Sequence, residues 1–149
     1  MDPELLKKVA TELLEAFGAS VESIDLSSGH RTVIAVTTKD PNALIGPRGE
    51  HLRAFNTLLR RLAENKFGED TPGFLLDVNG YHEEQMERVR AQARMLAQRA
   101  RLFKHDVELE PMSSYERLVI HELFAEDPDI KTTSEGEGKF RHVVLKYKV

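Results

Sequence analysis

Leu44-Ile45-Gly46-Pro47-Arg48-Gly49-Glu50-His51-Leu52 is the stretch that decides how this chain is read. Two glycines three positions apart hold a short loop open, with Arg48 between them and apolar residues at both ends. A helix is expected from Leu52 to Lys66, because Leu52, Phe55, Leu59 and Leu62 recur at helical spacing and Gly68 stops the run. Such a loop aims backbone N–H groups and the positive end of a helix at one spot, which suits an anion such as a phosphate. A connector whose glycines only relieve strain has the same pattern. The surrounding sequence has to separate the two readings.

Upstream, Asp2-Pro3 marks a helix start, and Leu5/Leu6, Val9, Leu13 and Phe17 form its apolar stripe up to Gly18. Two strands, Val21 to Leu26 and Thr32 to Thr38, are expected around the turn Ser27-Ser28-Gly29-His30. Asp40-Pro41 opens a very short helix that Gly46 ends. After the loop and its helix, Phe74 to Val78 reads as a third strand before the turn Asn79-Gly80. The first eighty residues thus read α-β-β-α-(loop)-α-β.

The longest expected helix runs from His82 to Lys104, with Met86, Val89, Ala93, Leu96, Ala100 and Phe103 as its seam. Arg90, Arg94 and Arg101 fall on one flank, and Arg88 and Arg99 on the other. They read either as solvated charges or as phosphate contacts. A short strand, Asp106 to Glu110, follows. Ser113 and Glu116 make a capping box for a helix to about Ala125, with Tyr115, Val119 and Leu123 as its core stripe. Arg117 and His121, four apart, share a face nearly opposite that stripe. A hairpin closes the chain: Ile130 to Ser134, the turn Glu135-Gly136-Glu137-Gly138, then Phe140 to Val149. The second half reads α-β-α-β-β.

At 149 residues the chain suits one domain or two small ones, and its composition is that of a soluble globular protein. No apolar run approaches the roughly 20 residues of a membrane span. Charges from Glu4 to Glu15 do not fit a signal peptide, so a cytoplasmic location is expected. The absence of cysteine excludes disulfides, thiolate zinc sites and thiol catalysis. The net charge of −4 hides two basic blocks, +4 over residues 31–66 and +3 over residues 80–104. Those blocks hold the glycine loop and the long helix, a basic patch on an acidic body of the kind a nucleic-acid binder needs.

Catalytic templates fail on spacing. His121-Glu122 and His82-Glu83 begin like zinc-protease motifs, but Ala125 and Met86 stand where the second histidine is required. Neither a P-loop nor a G-x-S-x-G elbow is present. Asp106, Glu108 and Glu110 would share one face of a strand, as a magnesium site or, more simply, a solvent-facing row. The chain is therefore expected to have no catalytic residues, metal or cofactor.

Together, the motifs resemble a known family. Residues 1–80 resemble a KH domain of bacterial (type II) topology, on the motif Ile45-Gly46-Pro47-Arg48-Gly49-Glu50-His51-Leu52 and the α-β-β-α-α-β order. Residues 81–149 resemble the small domain named for Arg-x-x-x-His, here Arg117-Leu118-Val119-Ile120-His121. Pro111 to Glu116 and Ser134 to Gly138 match the bacterial form of that domain. In this order the two resemble the Jag (SpoIIIJ-associated) family, also called KhpB, over nearly the whole chain. An α+β fold of two small domains is the expectation.

The resemblance implies non-catalytic binding of single-stranded RNA, with single-stranded DNA left open, in post-transcriptional regulation of mRNA or small RNA. It implies a backbone clamp at Gly46, Pro47, Arg48 and Gly49, beside a groove lined by Ile45, Leu52 and the strand around Ile34 to Val36. Arg53, one turn on, could reach a phosphate. Arg117 and His121 match the second motif, supported by Lys139 and Arg141. Pro47 stands where the family commonly has a base, which removes one N–H and leaves Arg48 the only charge inside the motif. The other reading is a protein-interaction adaptor linked to cell envelope or division regulation. It would act as a homodimer, or as a heterodimer with a single-KH-domain protein.

Overall fold

The computed structural model describes residues 2–29 and 31–148, so His30 of the expected turn and Val149 of the last strand lie outside the described residues. The chain divides into two compact units, Met1–His82 and Glu83–Val149. The fold is mixed α and β.

The first unit opens with α1 (Pro3–Phe17). Asp2 accepts a hydrogen bond from the backbone N–H of Glu4, and Gly18 closes the helix in the left-handed conformation. The buried face of α1 is Leu6, Val9, Ala10 and Leu14. The expected stripe is one position out of phase, and Leu5 and Phe17 are exposed. Strands β1 (Ser23–Ser28) and β2 (Thr32–Thr37) pair antiparallel, and β3 (Phe74–Val78) adds parallel to β2 with Ile34 opposite Leu76. A parallel neighbour needs a long crossover. Here the crossover carries α2 (Pro41–Ile45), a single 3-10 turn at Pro47–Gly49, and α3 (Glu50–Phe67).

Ile34 and Val36 of β2 and Leu76 and Val78 of β3 point from the sheet into a core with α1, Leu44, and Leu52, Phe55, Leu59 and Ala63 of α3. Ala63, not Leu62, continues the α3 stripe; Leu62 is exposed. Two asparagines tie loops to this frame. Asn56 donates to the Leu76 carbonyl and accepts from the Leu76 N–H, pinning α3 to the edge strand β3. Asn79, at φ +49°, spans the N–H and C=O of Thr38. Asp77 accepts from the N–H groups of Val78 and His82, and so caps the start of α4 (Tyr81–Phe103).

In the second unit, β4 (Val107–Glu108), α5 (Ser114–Leu123), β5 (Ile130–Glu135) and β6 (His142–Tyr147) follow α4. The sheet order is β4-β6-β5, antiparallel throughout. Ala93, Ala97 and Ala100 of α4 pack with Ile120, Phe124, Ile130, Val143 and Leu145. Small residues there let the helix lie close to its neighbours. Met86 is also buried, whereas Phe103, expected at the end of the seam, is exposed. The fourth strand is shorter than the expected Asp106 to Glu110. Leu109 still donates its N–H to the Val143 carbonyl, but the pairing stops before Pro111. The carboxylates expected in a row separate: Asp106 accepts from the Tyr147 N–H, and Glu108 meets His142. The capping box of Ser113 and Glu116 forms in both directions. Among the described residues, no helix is long and apolar enough to cross a membrane.

Candidate nucleic-acid interface

Within the first unit the loop is built from backbone conformations that side chains resist. Gly46 sits at φ +70°, ψ 176°, a region essentially confined to glycine. A Cβ there would lie 2.4 Å from the His51 ring. That ring is itself anchored, its Nδ1–H donating to the Ala43 carbonyl at 2.9 Å. Gly49 is left-handed at φ +76°, and a Cβ on it would come within 3.0 Å of the Tyr81 hydroxyl. Between them Arg48 is also left-handed, at φ 55°, ψ 24°. For an L-residue this costs about 1–2 kcal/mol. An exposed arginine is thus held at the loop apex against its own conformational preference.

The expected cradle of free N–H groups is mostly closed. Gly46 donates to Asn42, Gly49 to Gly46, and Glu50 to Pro47, while Pro47 has no N–H. Anion attraction here falls to the Arg48 guanidinium and the N-terminal end of the eighteen-residue α3. Arg53 turns back, donating from Nη1 to the Arg48 carbonyl at 2.8 Å. It braces the loop rather than extending its reach. Ile45 is half-buried against the core, and Leu52, Ile34 and Val36 are within it. The surface flanking the loop is consequently narrower than the expected groove.

In the second unit, α5 turns its Val119, Ile120 and Phe124 side toward the core, a rotation from the Tyr115–Val119–Leu123 stripe expected. Arg117 and His121 therefore lie half-buried on the flank facing β5 rather than on the opposite face. The His121 ring lies between two hydroxyls of β5. Its Nδ1 is 2.6 Å from Thr132 Oγ1 and its Nε2 is 2.8 Å from Ser134 Oγ. Burial, then the charges of Arg117 and Arg141, hold the imidazole below its usual pKa range. Arg117 donates from Nη2 to Ser114 Oγ at 3.0 Å, and its Nε–H is buried with no hydrogen-bond partner. Arg141 donates from Nη1 to the Gly136 carbonyl at 2.9 Å. Neither guanidinium has a carboxylate partner among the described residues. Lys139 stands apart on an exposed turn, its Nζ 5.3 Å from the centroid of the Phe140 ring.

The α4 arginines differ. Arg90 is paired with Glu83 and Glu87, and Arg94 with Glu87. The hydrogen bonds from Arg94 and Arg90 lower the pKa of Glu87. Arg88 meets Glu84, and Arg101 meets Asp127 and Asp129. Four of the five arginines on this helix are therefore already neutralised. Of the residues that complete the second face, Thr132 and Ser134 are not among those the motif singles out. Their signal is the alternation Ile130-x-Thr132-x-Ser134, which puts two hydroxyls on the core-facing side of a strand.

Residues 84–147 match the family of domains named for the Arg-x-x-x-His motif, a range that holds Arg117, His121 and both hydroxyls. The chain is 33% identical to the RNA-binding protein KhpB of Clostridium symbiosum, over 97% of this chain and 68% of that protein. It is 30% identical to the RNA-binding protein KhpB of Bacillus subtilis, over 99% of this chain and 72% of that one. The chain belongs to the KhpB family. The protein of that name from Streptococcus pneumoniae is 26% identical, and only 44% of its length is covered. Likeness to the first two KhpB proteins thus extends over both units, beyond the match to the second domain alone.

Proposed function

We propose that this chain is a non-catalytic, cytoplasmic protein that binds single-stranded RNA, acting after transcription on mRNA or small RNA. Residues 1–80 are read as a KH domain whose Gly46–Gly49 loop clamps the strand backbone. Residues 81–149 are read as the Arg-x-x-x-His domain, presenting Arg117, Arg141 and the residues around them. The observation that carries the reading is electrostatic. In a chain of net charge −4, the arginines at the two motifs have no carboxylate partners among the described residues, whereas those of α4 are largely paired. The names borne by the relatives support it.

The direct test is titration of a labelled single-stranded oligonucleotide with Pro47→Asp/Arg48→Asp. Both residues are exposed, so the fold should survive while RNA affinity falls about tenfold or more. Unchanged affinity would return the loop to a connector.

The adaptor reading is favoured by a different observation. Phe17, Leu58 and Leu62 leave a run of apolar surface on α1 and α3, 60%, 52% and 41% exposed. A recess of about 210 Å³ there is lined by Phe17, His51, Ala54, Phe55 and Leu58. Light scattering with and without ribonuclease separates the readings. A homodimer, or a heterodimer with a single-KH-domain protein, that survives ribonuclease and ignores both motifs would favour the adaptor.

A further inference from the structure

The Arg-x-x-x-His spacing invites treating Arg117 and His121 as two equivalent contacts to the strand. The geometry around the ring divides their roles. An imidazole has two polar atoms, and both are occupied by β5 hydroxyls, at 2.6 and 2.8 Å. Neither nitrogen can turn to a phosphate without giving up one of those bonds. Both nearby guanidiniums, by contrast, have donors to spare. Each spends one N–H, on Ser114 Oγ or the Gly136 carbonyl, out of the five an arginine carries. The Nε–H of Arg117 is buried without any acceptor, which a ligand oxygen would supply.

We propose that the phosphate-binding group of this face is the pair Arg117 and Arg141, and that His121 is an uncharged positioning residue bridging Thr132 and Ser134. The inference rests on reading this face as a contact for single-stranded RNA. Burial and the two adjacent guanidiniums disfavour a third positive charge, in keeping with a neutral ring. A neutral imidazole donates from one nitrogen and accepts at the other. One of the two hydroxyls therefore donates to the ring, and the other accepts from it. The accepting hydroxyl keeps its own O–H free, and this holds for either tautomer. Thr132 or Ser134 thus offers the anion a further neutral donor beside the two arginines.

Anisotropy titrations of the full chain with a fluorescein-labelled oligouridylate, repeated over a range of potassium chloride concentrations, test this. Arg117→Ala and Arg141→Ala should each weaken binding about tenfold and reduce the salt slope by about 0.7, as loss of one single-strand phosphate contact does. Glutamine offers one donor and one acceptor, so His121→Gln should stay within about twofold of the parent with the slope unchanged. His121→Ala should weaken binding several-fold, again without a change of slope. Nitrogen-15 spectra of the histidine side chains should keep the neutral pattern for His121 when the oligouridylate is added near neutral pH.

An imidazolium pattern on RNA addition overturns the inference, as does a His121→Gln slope reduced like that of the arginine variants. Should His121→Ala fail to fold, the glutamine variant and the spectra still decide. If both arginine variants bind as the parent does, the reading of the face as an RNA contact falls, and the inference with it. A result in which the arginines matter and His121 also carries charge refutes the division of roles alone.

Discussion

Arg48 stands exposed at the apex of a loop shaped by backbone conformation, whereas Arg117 and Arg141 stand half-buried around a histidine held by side-chain hydrogen bonds. The first arrangement depends on positive φ angles at Gly46, Arg48 and Gly49. The second depends on hydroxyls two residues apart on β5 meeting a ring one helical turn beyond Arg117. Backbone-built sites fail when a Cβ is added, even far from any charge. Side-chain-built sites tolerate isosteres and fail when a hydrogen-bond partner is lost. The α4 arginines give a third setting, in which the same side chain is satisfied by neighbouring carboxylates.

The sharpest break of the contrast is at the loop charge. Arg48→Gly should lower RNA affinity about tenfold while leaving the melting temperature unchanged or raised, because glycine relieves the left-handed strain. A drop in melting temperature would show that Arg48 holds the fold, and the loop would no longer separate charge from structure. Next comes Gly46→Ala, expected to cost about 1–3 kcal/mol by thermal denaturation. It should also displace the His51 ring, which a shift of the histidine resonances would register. If stability is untouched, the loop is not conformationally enforced.

A smaller effect is expected on α4. Arg90→Ala combined with Arg94→Ala should change RNA affinity by less than about twofold, since their charges are already balanced by Glu83 and Glu87. A loss comparable to that of Arg117→Ala would erase the distinction between paired and unpaired arginines.

The smallest effect concerns pH, and the two histidines of the second unit have opposite signs. The His121 pKa is lowered in the fold, so its contribution is present above the usual value of about 6.5 and is lost as pH falls through the lowered one. The His142 pKa is raised, first by its hydrogen bond to the Phe140 carbonyl and then by Glu108. That contribution is present below about 6.5 and is lost as pH rises through the raised value. In a His142→Gln background, the melting temperature should therefore fall as pH goes from about 7.5 to about 5.5. Adding His121→Gln should remove part of that slope. An identical pH profile in the two variants would mean that the ring is not kept neutral by its surroundings.

Much of the element order is legible because it is encoded locally. Asp2-Pro3, the Ser113–Glu116 box and Gly18 act within one helical turn, and β3 falls at Phe74–Val78 as its turn residues mark it. The phase of the helices is less legible. In α1 both Leu5 and Leu6, and both Leu13 and Leu14, are apolar, so two rows fit the same period. Contact with the sheet selects the one through Leu6, Ala10 and Leu14. The same ambiguity moves the α3 seam from Leu62 to Ala63, and the α5 face toward Ile120 and Phe124.

By itself, the sequence determined where the chain turns, caps and needs glycine, because those demands are set by φ, ψ and hydrogen bonds between near neighbours. Only the tertiary structure decided what each motif side chain does. Arg53 braces its own loop, His121 spans two hydroxyls, and Arg101 is held by Asp127 of a distant segment. Periodicity states how often a face recurs, but not which face meets the core. The charge state and availability of an arginine or histidine follow from partners that sequence spacing does not name.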